Sequence, residues 1–134
     1  MIFIDTGAFL ARYLASDSLH QKALRAWKDL EKRKATVVTS HFVLDETLTL
    51  LARRADYRFA AERGRGLYES ETLQILRADS AAEVRALSLF EKFADQKVSF
   101  TDCVSFALMS QRKIERAFTF DRHFILAGFE VWPR

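Results

Sequence analysis

The residues Met1-Ile2-Phe3-Ile4-Asp5-Thr6 open the chain with an apolar run, an acid and a hydroxyl. Ile2, Phe3 and Ile4 are strand formers without polar alternation, the pattern of a strand buried on both faces. Asp5 ends that run. Phe9, Leu10, Tyr13 and Leu14 then recur at helical spacing, with Thr6 as the expected N-cap. The reading is a central parallel strand, Asp5 at its carboxyl end, then a helix. Ligands bind at that edge of open α/β sheets. An acid at a strand end is also an ordinary loop residue, so the weight of Asp5 rests on whether other carboxylates reach the same edge.

The 134 residues, 49% of them hydrophobic and with one Pro and four Gly, suit a single domain spanning 1–134 with its own core. The twelve Phe suggest that this core is aromatic. No uncharged stretch is long enough to cross a bilayer, and the first strand follows Met1 directly, without a signal-peptide pattern. Cys103 is the only cysteine, which excludes an internal disulfide; it lies in a helical run and is read as a small core residue. A cytoplasmic location without membrane attachment is therefore expected. The net charge is +3, and between Leu51 and Tyr68 five arginines against two acids leave the same +3. An arginine-rich face carrying Arg53, Arg54 and Arg58 can grip phosphates, although the charge count alone favours a solvated helix face with a basic bias.

Along the chain, Ser18 and Gln21 match a capping box for a helix from about Ser18 to about Arg33. Thr36 to Thr39 is β-branched and reads as a second strand. Ser40 caps a helix from about Phe42 to Arg54. On that helix Asp45 points to solvent, whereas Glu46 has Phe42, Val43 and Leu50 as its neighbours one turn away. A carboxylate so placed needs a partner, either an arginine or a metal ion. A helix from Asp56 towards Leu67 is interrupted by Gly64 and Gly66, and Leu73 to Leu76 is a third strand. Ser80 and Glu83 form a capping box for a helix ending near Gln96. Asp102 lies in the first turn of an apolar helix, where Ser99-x-x-Asp102 is itself a capping pattern. Ala117 to Phe120 is a fourth strand ending at Asp121, and Phe129 to Trp132 a fifth.

Alternating strands and helices predict an α/β fold with a parallel sheet covered on both faces. Asp5 and Asp121 then leave the same sheet edge. If their strands are adjacent, about 4.7–4.9 Å apart, both can reach one ion. With Asp102 and Glu46, four carboxylates can converge, and such a cluster is stable only when neutralised. All-oxygen ligands without cysteine or paired histidine favour Mg²⁺ or Mn²⁺. His20, His41 and His123 lie on three different elements; His20 reads as structural and His123 receives no role of its own, but His41 and His123 can meet at the sheet edge, where a histidine acid–base pair is the rival to metal chemistry.

The segments IDTGAFL, the Glu in VLDETLTLL, SFTDCVSFAL and TFDRHF, taken in this order over nearly the whole chain, resemble the PIN domain in its toxin-like (VapC) branch. The resemblance implies a five-stranded parallel sheet in the order 3-2-1-4-5, which puts Asp5 beside Asp121. It implies a metal-dependent ribonuclease, often a homodimer and often made with a small antitoxin protein. Carried over by position, the acidic quartet is Asp5, Glu46, Asp102 and Asp121, supported by the hydroxyls of Thr6 and Thr119. Other readings are a PIN nuclease that is not a toxin, a non-catalytic interaction module, and a phosphoacceptor signalling domain. The last would want paired acids at the first strand, where only Asp5 stands.

Overall fold

The computed structural model describes residues 1–134. Five strands form one sheet: β1 (Ile2–Ile4), β2 (Val37–Ser40), β3 (Leu73–Leu76), β4 (Arg116–Phe118) and β5 (Glu130–Trp132). Their order is β3-β2-β1-β4-β5 and every pairing is parallel. Successive side chains of a strand point to opposite faces. Since Ile2, Phe3 and Ile4 are all buried, both faces of the central strand are covered. The covering helices are α1 (Thr6–Tyr13), α2 (His20–Arg33), α3 (His41–Arg54), α4 (Tyr57–Glu69), α5 (Ser80–Lys92), α6 (Phe100–Gln111) and the short α7 (His123–Leu126). None is long and apolar enough to cross a membrane.

The core is aromatic, as its composition suggests. Trp27 packs on Phe9 and on Phe118, and Phe118 on Trp132, with centroids 5.2–5.6 Å apart. Phe106 of α6 touches Phe93, Phe124 and Phe129. Each such pair contributes about 0.5–1.5 kcal/mol beyond its burial. Together these contacts fix the end of β4 and seat α7 against α6. Cys103 is buried in this core, and burial, followed by the nearby Asp102 charge, pushes its thiol up to about 11. A thiol of that kind is inert as a nucleophile.

Several element boundaries differ from the sequence reading, each for a local reason. Asp5, not Thr6, is the N-cap residue of α1, and its carboxylate makes no capping bond because Thr119 holds it instead. The Ser18/Gln21 box does not form. Asp17 Oδ1 accepts the Leu19 amide at 2.8 Å, tightening a turn that delays α2 to His20. Asp79 displaces Ser80 as the cap of α5, its carboxylate accepting from the Ala82 amide at 2.8 Å, where an anion also suits the helix dipole. Helix α4 runs unbroken through both glycines. Gly64 is buried where a Cβ would meet Leu48 Cδ1 at 3.0 Å, so its lack of a side chain lets α3 and α4 approach. Ser40 and Ser99 do cap α3 and α6. Strand β4 stops at Phe118, and α7 has no counterpart in the sequence reading.

Candidate active site

The register pairs Ile4 with Phe118, so Asp5 and Thr119 leave the sheet side by side at its carboxyl edge. Thr39 Oγ1, at the end of β2, donates to the Ile4 carbonyl at 2.7 Å and pins the neighbouring strand to the same point. Thr119 Oγ1 donates to Asp5 Oδ2 at 2.7 Å and accepts from the Asp121 amide at 3.0 Å. One buried hydroxyl thereby fixes two of the acids relative to each other. Asp121 Oδ1 accepts from the His123 amide at 2.8 Å, closing the turn that starts α7. Asp102, in the first turn of α6, gives its amide to Ser99 Oγ at 3.1 Å and leaves its carboxylate free to face the cleft.

Asp5, Asp102, Asp121 and Glu46 all line one cleft of about 630 Å³ together with Thr6. Glu46 reaches it from α3 and is half-buried, whereas Asp45 is exposed, as the helical-face argument requires. Asp5 and Asp102 are only 4% and 6% exposed, which makes an ionised carboxylate costly at both positions. Burial raises Asp5 from 3.8 to about 6, against the opposing pull of the Thr119 hydroxyl and the Thr6 amide. Burial raises Asp102 further, from 3.8 to about 9, with the facing charges of Asp5, Asp121 and Glu46 adding to it. Two polar atoms of the site, Asp5 Oδ1 and Thr6 Oγ1, are buried without a hydrogen-bond partner. Buried acceptors are normally satisfied. An unpaired carboxylate oxygen among three further acids suits a hard divalent cation, which would satisfy the oxygen and neutralise the cluster together.

The structure adds a residue that the sequence reading left out. His123 Nδ1 lies 3.3 Å from Asp121 Oδ1 and 3.9 Å from Asp102 Oδ2. Ligand atoms of Asp102, Asp121 and His123 all fall within 4.8 Å of one another. The only sequence signal was its place two residues after Asp121, inside a turn that needs tertiary contacts to form. The other histidines are tied elsewhere, His20 Nδ1 to the Ala11 carbonyl at 2.7 Å and His41 Nδ1 to the Leu76 carbonyl at 3.3 Å. Arg53, Arg54 and Arg58 are exposed and do not line the cleft; Arg53 borders a separate depression beside Tyr57. Arg63, from the same basic segment, stacks over Phe59 and Tyr13. The cations that do line the cleft are Lys97 and Arg122.

The PIN domain family model matches residues 2–130. The chain is 36% identical, over 134 residues and 99% of both sequences, to the 23S rRNA-specific endonuclease VapC20 of Mycobacterium tuberculosis. It is 29% identical to a VapC ribonuclease of Archaeoglobus fulgidus, over 96% of this chain and 83% of that one. The crystal structure of Mycobacterium tuberculosis VapC20, described as a sarcin-ricin loop cleaving toxin, superposes with a TM-score of 0.89 at 32% identity, covering 96% of each chain. FitAcB from Neisseria gonorrhoeae shares the fold at a TM-score of 0.69 and 20% identity, over 99% of this chain and 97% of that one.

Proposed function

The chain belongs to the PIN-domain family, and on that premise we propose that it is a metal-dependent endoribonuclease, the toxin of a toxin–antitoxin pair. The observation that carries this reading is the orphaned Oδ1 of Asp5, buried beside three more carboxylates on one sheet edge. Asp5, Asp102 and Asp121 would hold Mg²⁺ or Mn²⁺, with Glu46 completing the set and His123 within reach of it. The cation would supply Lewis acidity at the phosphoryl group and its attacking water. Thr119 holds Asp5 and Asp121 in a fixed relation, so the acids need not reorganise when the phosphodiester arrives. Glu46, reaching in from a separate helix, is assigned the orientation of the attacking water and acceptance of its proton.

The likeness to a 23S rRNA-specific endonuclease along the full length of both chains makes ribosomal RNA the first substrate to test. The proposal includes a cytoplasmic location, a small antitoxin as partner and a homodimer. Support for the dimer comes from α5, where Val84, Leu87 and Phe90 are 64%, 57% and 45% exposed along one face. Purified protein should cut 23S rRNA with Mg²⁺ or Mn²⁺, leave 5′-phosphate and 3′-hydroxyl ends, and stop in EDTA. Cyclic-phosphate ends formed in EDTA, lost in His41→Ala or His123→Ala but kept in Asp5→Asn, would overturn the reading in favour of attack by the ribose 2′-hydroxyl.

A further inference from the structure

Lys97 and Arg122 line the acid cleft from two separate loops, one leading into α6 and one following β4. Each has carboxylates of the same cleft for company, yet neither forms an ion pair. The ion pairs of the protein join Arg12 to Glu31, Arg33 to Asp29, and both Arg116 and Arg134 to Glu130, with His123 facing Asp102 and Asp121. Neither side chain donates a hydrogen bond, and both residues are exposed. Neither cation comes within ion-pair distance of the four acids, and both stand open to solvent, where an anion can meet them.

The charge balance says which anion. Four ionised carboxylates and one divalent cation leave a cleft with two negative charges, which repels a phosphodiester. Lys97 and Arg122 carry the two positive charges that cancel this excess, at exposed positions lining the cleft. Arg122 can take a phosphate in a two-pronged grip, and Lys97 offers a compact point charge.

We propose that Lys97 and Arg122 bind the RNA backbone phosphates flanking the scissile bond. The inference rests on the nuclease reading above and adds the residues that place the substrate. Both are positioning residues, acting on the phosphates next to the reacting one.

The backbone at Lys97 provides a test that unfolding cannot imitate. Its φ of 56° lies in the left-handed region, which glycine adopts freely. Lys97→Gly therefore removes the side chain while relaxing the backbone, and its melting temperature should equal or exceed that of the wild type. RNA binding is measured by anisotropy in Ca²⁺ across a salt series, and cleavage of the same RNA in Mg²⁺. Lys97→Gly and Arg122→Ala should each lower the slope of log affinity against log salt by about 0.7–0.9. Each should raise KM by more than it lowers kcat, Lys97→Arg should restore KM, and Arg25→Ala on α2 should change neither. Unchanged slope and KM in both variants of an active enzyme would overturn the inference. So would a slope loss confined to Arg53→Ala or Arg58→Ala. If the wild type cleaves no RNA with any metal, the nuclease reading fails, and the anisotropy slopes still decide whether these two cations bind RNA.

Discussion

Thr119 Oγ1 donates to Asp5 Oδ2 across 2.7 Å while accepting the amide of Asp121, so a single hydroxyl joins two acids that leave different strands. Thr119 is fully buried, and no water can replace its hydroxyl without rearrangement. Thr119→Val keeps the shape and deletes the bond. Groups that orient metal ligands typically account for about 10–100-fold in metal affinity or activity. Calorimetry with Mn²⁺ should show a loss in that range for Thr119→Val and near-normal binding for Thr119→Ser. Equal affinity in Thr119→Val and wild type would make the bridge a packing feature only.

The metal-free protein should lose stability as the pH rises. Asp5 and Asp102 have folded values near 6 and 9, both above the ordinary 3.8, so the folded state binds more protons than the unfolded one. Their contribution is fully present below pH 4. It is lost as the pH rises through the raised values of the two acids, Asp5 first and Asp102 after it. Denaturant melts in EDTA at pH 5 and pH 8 should show this fall, and Asp102→Asn should flatten it. Loading the site with Mn²⁺ at pH 7 should release protons, visible as a buffer-dependent calorimetric enthalpy. A stability that rises from pH 5 to pH 8 would contradict the burial of these carboxylates.

Neighbouring acids on α3 should behave oppositely. Glu46 lines the cleft and Asp45 faces solvent. Glu46→Gln should cut the cleavage rate by at least about 10²-fold, the usual contribution of a positioned general base. Asp45→Asn should cleave like the wild type. The reverse outcome would mean that the helix presents its opposite face to the cleft.

Gly66 sits inside α4 with open space around it: a Cβ added there would meet nothing within 4 Å, unlike one at Gly64, which Leu48 crowds. Gly66→Ala should raise stability by about 0.8–1 kcal/mol through helix propensity alone. Thermal melting should show an increase of a few degrees, with RNA cleavage unchanged.

The sequence by itself determined the strands, the sheet edge and the acids on it. Those signals are local: an unbroken apolar run marks a buried strand, the residue after it lies at the strand's end, and Phe42, Val43 and Leu50 around Glu46 reveal its half-buried face. The strand order came with the family resemblance, and the sheet has that order. Helix starts were less legible, because several acceptors compete for each set of free amides. Asp79 outcompetes Ser80, and Asp5 is withdrawn from capping altogether. Only the tertiary structure decided how the site is tied together. Thr119 meets Asp5 across 114 positions of sequence, and His123 meets Asp102 once α7 packs on α6. It also decided which cations stand at the cleft. A charge count along the chain ranks Arg53, Arg54 and Arg58 first, but proximity in space is set by strand pairing and loop closure, and these bring Lys97 and Arg122 to the acids instead.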